Sequence, residues 1–220
     1  MAMEAQGVQI HVLATTPTTL TTDVTIATTS VIGTGSNFAG AGFTTAMWIM
    51  LSSASTEMHR VKGFTGGNSS ILGIHGGFTS VGAAAGIEVR GYTSTFIGEI
   101  TDFTGPGGAA QVIDVTSLQS TAKEKLVGLR DEGQLSLTMN FNATDDGQTK
   151  LLADRAARQQ RKYAIVFTDL SSGSSAYPSW CYFNGYAMQY SVSGAVDNKV
   201  TANAVIEING PVVYSTKVSV

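Results

Sequence analysis

At 220 residues the chain is long enough to bury a core without staples, and its single cysteine, Cys181, excludes an intramolecular disulfide framework. A net charge of −3 with no cluster of Lys and Arg argues against tight binding to exposed nucleic acid, and no apolar run approaches the ~20 residues of a membrane-crossing helix. Charged residues make up only 13% of the chain where about 25% is usual, so the surface suits burial against further subunits, although a monomeric Thr-rich β protein has the same bias.

The opening MAMEAQGVQIHVLATT has neither a basic stretch nor a continuous apolar run, so no secretory signal is expected, and Val8 to Leu13 reads as a strand. Thr clusters from Thr15 to Thr29 and glycines from Gly63 to Gly91 follow. Within them Met47 to Leu51, Met58 to Lys62, Ser70 to Ile74 and Gly86 to Val89 are short, turn-punctuated strand patterns, the signature of a small barrel. Phe43, Met47, Trp48, Ile49, Val61, Phe64 and Ile87 are its expected core. The boundary falls near Gly91 to Thr93, giving a β-rich segment 1–92 and a second domain 93–220.

Beyond that boundary come a strand Thr95 to Ile100, the turn Gly105-Pro106-Gly107-Gly108, a strand-like run Ala109 to Leu118 and a charged stretch ending at Gly133. Leu135, Leu137, Met139 and Phe141 alternate with Ser136, Thr138 and Asn140, which is a strand with one buried face. Thr144 or Asp145 then caps a helix running from Gln148 to Arg161, with Leu151, Leu152 and Ala156 expected on its buried side. Lys162 to Thr168, Trp180 to Val192 and Val200 to Ile208 read as further strands, and Gly185 suggests a bulge or bend in the long one. The fold class is mainly β with one flanking helix.

No reactive constellation emerges. His11, His59 and His75 stand alone, without metal-ligand spacing, and nothing beside Cys181 in sequence would lower its pKa. Gly33-Thr34-Gly35 lacks the third glycine and the helix of a dinucleotide loop. Asp145-Asp146, Asp131-Glu132 and Glu99 with Asp102 have structural explanations in a helix start, a loop and a turn. Arg155, Arg158, Arg161 and Lys162 suit the negative end of the helix dipole better than a phosphate. The sequons at Asn68 and Asn142 are chance matches in a chain without a secretory signal. Catalytic, cofactor and metal residues are therefore expected to be absent.

The order of elements from about 94 to 212 is the informative feature. Ile113-Asp114-Val115-Thr116-Ser117-Leu118, the charged Lys123-Glu124-Lys125, then Gly128-Leu129-Arg130-Asp131-Glu132-Gly133, the Leu135 strand, the helix, and the strands through Tyr182-Phe183-Asn184-Gly185-Tyr186 and Ile208-Asn209-Gly210 fall in one sequence. This resembles the major tail tube proteins of tailed bacteriophages. The resemblance implies a β-sandwich with a flanking helix, hexameric rings of identical subunits, and stacking of rings into the conduit for genome delivery. It also implies that Asp114 to Gly133 is an inter-ring stacking loop, whose Asp114, Lys123, Glu124, Lys125, Arg130, Asp131 and Glu132 select register through charge pairs. An ordinary solvated hairpin would carry the same charges. The implied partners are other copies of the chain, other tail proteins at the tube ends, and DNA passing without specific contacts. The implied location is the virion tail, after synthesis in the host cytoplasm.

Segment 1–92 does not align to that pattern beyond the strand at Val8 to Leu13, and reads as a decoration on the tube. Two other functions fit parts of the sequence. A tail terminator or baseplate ring shares the fold but would not polymerise indefinitely. A carbohydrate-binding β-sandwich would use Tyr177, Trp180, Tyr182 and Tyr186 as a stacking platform.

Overall fold

The computed structural model describes residues 8–27, 30–33, 37–45, 47–52, 54–65, 71–74, 84–167 and 179–214. Two compact units result: one comprises 1–97, 161–182 and 213–220, the other 98–160 and 183–212. The first eight strands lie in the first unit: β1 (Gln9–Leu13), β2 (Thr18–Ala27), β3 (Ser30–Gly33), β4 (Trp48–Leu51), β5 (Ala54–Thr65), β6 (Ile71–Ile74), β7 (Ala84–Tyr92) and β8 (Ser94–Phe96). The second unit continues with β9 (Ile100–Thr104), β10 (Ala110–Asp114), β11 (Lys125–Arg130), β12 (Gln134–Asn140) and the helix α1 (Asp146–Ala157). The chain then forms β13 (Gln160–Val166), β14 (Trp180–Ser193), β15 (Thr201–Ile208) and β16 (Val213–Tyr214). β14 gives residues 180–182 to the first unit and the remainder to the second.

In the first unit, β2, β3, β6, β5, β4 and β7 close into a barrel, β7 pairing with β2 to remove the free edge. Its interior holds Val24, Val31, Phe38, Phe43, Met47, Ile49, Leu51, Val61, Leu72, Ile74, Ile87 and Val89, with Phe64 packed against them. Trp48 departs from the expected core. The period of two turns Trp48 and Met50 to the opposite face of β4 from Ile49 and Leu51, and there they form a second cluster with Leu13, Met58, Tyr92, Ala164, Val166, Trp180 and Tyr182. The Trp48 and Trp180 rings meet edge to face at 5.9 Å, and the Trp180 indole N–H donates to the Met58 carbonyl at 3.1 Å. β1 lies between β8 and β13, so the strands on either side of the barrel pair directly, Leu13 opposite Ser94.

In the second unit the order is β14, β15, β12, β9, all antiparallel. Leu135, Leu137 and Met139 on β12 and Ala202, Ala204, Ile206 and Ile208 on β15 supply the buried face that their alternation predicts. The expected strand from Thr95 to Ile100 is instead two strands: β8 ends at Phe96, and Glu99 adopts a left-handed conformation (φ 61°) before β9 begins. Gly185 is not a bulge. The register slips three residues later, between Ala187 and Gln189, whereas a Cβ at Gly185 would stand 2.8 Å from the Glu207 carbonyl oxygen.

The helix is shorter than its composition suggests. Asp145 caps it by accepting from Gln148 N–H at 2.8 Å, as expected, but Arg158 turns left-handed (φ 50°) and closes it with N–H bonds to the Arg155 and Asp154 carbonyls. β13 starts two residues later, so Arg161 is a strand residue. The buried side is Gly147, Gln148, Leu151 and Asp154, while Leu152 and Ala156 are exposed. No described helix is long and apolar enough to cross a membrane.

Candidate functional site

The candidate stacking segment is the outer part of a two-stranded ribbon, in which residues 115–124 form the loop that joins β10 to β11. β10 and β11 pair antiparallel, with Val112 opposite Val127, Ile113 opposite Leu126 and Asp114 opposite Lys125. Directly opposed residues share a face, so Val112 and Val127 lie on one side of the ribbon and Ile113 and Leu126 on the other. All four are exposed, as are Val115, Leu118 and Leu129, the last at 94%. Both faces of the ribbon are therefore apolar and open.

Side-chain hydrogen bonds order its tip. The Asp114 carboxylate accepts from the Thr116 hydroxyl at 2.6 Å and from Thr116 N–H at 2.9 Å, which holds its pKa below the ordinary carboxylate value. Thr116 Oγ1 in turn receives Glu124 N–H at 3.0 Å, and Val115 N–H reaches the Glu124 carbonyl at 3.0 Å. Ser117 and Ser120 close a small turn through both their hydroxyls and backbone. Lys123 and Lys125 flank Glu124 in full exposure.

The root is built from glycines. A Cβ at Gly108 would run into the Asp131 carbonyl, so only glycine lets the two strands of the neck approach. Asp131 caps the turn by accepting from Gly133 N–H at 2.9 Å, and Arg130 reaches Glu132 at 3.4 Å. Thus Asp114, Lys123, Glu124 and Lys125 gather at the tip, and Arg130, Asp131 and Glu132 at the neck.

A buried amide stands behind β9 and β12. Gln148, 1% exposed, donates to the Asn140 carbonyl at 2.9 Å and the Gly98 carbonyl at 3.4 Å, while its oxygen accepts from Asn142 N–H and the Tyr190 hydroxyl, each at 3.1 Å. Sequence reasoning passed over Gln148 because a glutamine in a helix reads as solvated. It also passed over the ribbon's apolar residues, although the adjacent pairs Val112-Ile113 and Leu126-Val127 signal a strand apolar on both faces.

The remaining candidates are dispersed. Burial pushes the Cys181 thiol up to about 12. His11, on β1, is pulled down to about 4 by burial and by the Arg60 charge, and His59 lies on β5 beside Glu57 and the Trp180 ring. Among the described residues no group of three or more His, Cys, Asp or Glu could hold a metal. Asp145, Asp131 and Glu99 serve backbone or amide partners, and Asp102 lies exposed on β9. The basic run is divided: Arg155 and Arg158 border a groove of about 570 Å³ with Tyr186 and Met188, whereas Arg161 bonds Thr15 and Lys162 sits 5.7 Å above the Tyr92 ring. His75, Tyr177, Thr34-Gly35 and the Asn68 sequon lie outside the described residues. Trp180 and Tyr182 are buried, which removes two of the four rings proposed for a sugar platform.

A mainly β chain with an open apolar ribbon has the features of an assembly protein, and comparison with known proteins identifies it as a structural protein of a bacteriophage tail. Residues 87–218, more than half the chain, match the family described as "Phage tail tube, TTP, lambda-like", and the chain belongs to that family. It is 26% identical over 134 residues to "Structural protein 3" of Pseudomonas phage PAJU2, covering 54% of this chain and 82% of that protein. It is also similar to a solved structure of the SPP1 tail tube, at 13% identity and a TM-score of 0.43 over 58% of this chain and 70% of that one.

Proposed function

We propose that the chain forms hexameric rings which stack into the tail tube, the conduit for genome delivery, and that the β10–β11 ribbon joins one ring to the next. The observation that carries this reading is the ribbon's exposure on both faces: Val112 and Val127 on one and Ile113 and Leu126 on the other. An isolated two-stranded ribbon is marginal in water, and apolar side chains on both its faces favour burial between neighbouring subunits. Asp114, Lys123, Glu124, Lys125, Arg130, Asp131 and Glu132 then act as the charged frame that fixes register between rings.

Segment 1–92 is a decoration on the tube core 93–220. In support, among the described residues no exposed large hydrophobic falls before Phe96, so the described barrel surface offers little for subunits to bury. The chain works by assembly rather than catalysis. Its partners are its own copies and the tail proteins at the tube ends, DNA slides through without specific contacts, and the protein, made in the host cytoplasm, resides in the virion tail without inserting in a membrane.

Negative-stain electron microscopy of the purified protein tests this reading, alongside a variant carrying Val112→Lys, Val127→Lys and Leu129→Lys. Tubes from the parent and unstacked protein from the variant are expected. Isolated rings from the parent favour a terminator or baseplate ring, and monomers at high concentration overturn self-assembly.

A further inference from the structure

The sheet of the second unit has two poles, and the ribbon marks only one. Gln134 pairs with Glu207, Ser136 with Thr104, and Ile208 N–H bonds the Gly133 carbonyl, so β10 and β11 are rooted where β12 begins and β9 and β15 end. At the far pole Asn140 pairs with Thr201 and Ser193 with Thr201, about 20 Å away along seven strand residues. There a second exposed apolar cluster appears: Phe141, Val192, Val200 and, at the apex of the turn joining β14 to β15, Val196 at 92% exposure. Phe141 N–H bonds the Val200 carbonyl at 3.0 Å, which fixes two of these residues side by side. The turn is ordered as well, by Asn198 N–H to the Ala195 carbonyl and Lys199 N–H to the Asn198 side chain, with Asp197 left-handed (φ 60°).

We infer that this far-pole cluster is the receptor for the β10–β11 ribbon of a second copy of the chain. The inference rests on the tail tube reading and names the surface that receives the ribbon. Two different apolar patches at opposite ends of one sheet cannot satisfy each other within a copy, but a translation along the strands brings the ribbon of one copy to the far pole of the next. Such a contact is heterologous and leaves a free patch at each end, which is what an open stack of rings requires. Charges of both signs stand on each side: Asp197 and Lys199 flank the apex of the receptor, and Lys123, Glu124 and Lys125 the tip of the ribbon, all exposed.

The test uses the 220-residue chain, in which Cys181 is buried. Val196→Lys, at an exposed turn apex, leaves the circular dichroism of the protein unchanged and abolishes tubes. A Leu118→Cys, Val196→Cys double variant, oxidised after assembly, gives a ladder of dimers, trimers and higher species on a non-reducing gel. Either single variant stays monomeric on that gel. The inference is overturned if Val196→Lys still forms tubes, or if the double variant forms tubes but stops at monomers or dimers. If the parent forms no tubes at all, the tail tube reading itself fails and this inference with it.

Discussion

The Tyr190 hydroxyl donates to the side-chain oxygen of Gln148 at 3.1 Å, tying α1 to β14 inside the second unit. The same glutamine satisfies the carbonyl of Asn140 at the end of β12 and that of Gly98 just before β9. One buried amide thus serves three elements of the sheet that carries the ribbon. Gln148→Glu keeps the size and the acceptor oxygen but removes the donor and buries a carboxylate. The expected loss is at least about 2 kcal/mol at neutral pH, read from the midpoint of urea unfolding. Part of it returns under acid conditions, as the carboxyl becomes a donor again; unchanged unfolding would show that the amide is dispensable.

The neck of the ribbon makes a sharper prediction, because two adjacent glycines differ in what surrounds them. A Cβ at Gly108 collides with the Asp131 backbone, whereas nothing lies within 4 Å of the Cβ position of Gly107. Gly108→Ala should disturb the strand crossing and lower tube yield by about tenfold or more, with the sheet signal in far-ultraviolet circular dichroism retained. Gly107→Ala should assemble like the parent. Equal yields from the two variants would disconnect the neck geometry from stacking.

These contrasts also explain what could be read from the sequence. Asp145 as helix cap and the alternation of Leu135, Leu137 and Met139 were legible because a cap and a period of two are local physics. The end of the helix was not, since Arg158 adopts the left-handed conformation without the glycine that usually announces it. Hydrophobicity alone places Trp48 in the barrel interior, because it does not reveal which face of a strand meets which layer; only the packing of Trp180 against it decides. Within the ribbon, the exposure of Leu126 and Val127 is not legible in sequence, because it depends on no other element covering them.

Cys181 provides a reporter of unfolding. It is fully buried on β14, and burial raises its pKa to about 12, so little thiolate forms in the folded protein. Maleimide labelling at pH 7 should be at least about 100-fold slower in the native protein than in denaturant, following the opening of the surrounding strands. Rapid labelling of folded protein would contradict the packing of β14 against Ile165, whose backbone hydrogen-bonds the thiol.

His11 should make the stability of the first unit sensitive to pH. It is 6% exposed, lies 5.7 Å from the Phe96 ring and 3.4 Å from the Gln9 side-chain oxygen, and its pKa falls from 6.5 to about 4 through burial first and the Arg60 charge second. Between those two values the unfolded chain takes up a proton that the folded chain refuses. The neutral imidazole therefore contributes in full above pH 6.5, and stability falls as the pH drops from 6.5 toward 4, by about 3 kcal/mol at most. His11→Gln cannot titrate, so the difference in unfolding free energy between parent and variant should shrink with acidification in that window and stay constant above it. A difference that is flat from pH 7 to 4 would mean that His11 becomes charged in place, with the region around Arg60 relaxing to admit the proton.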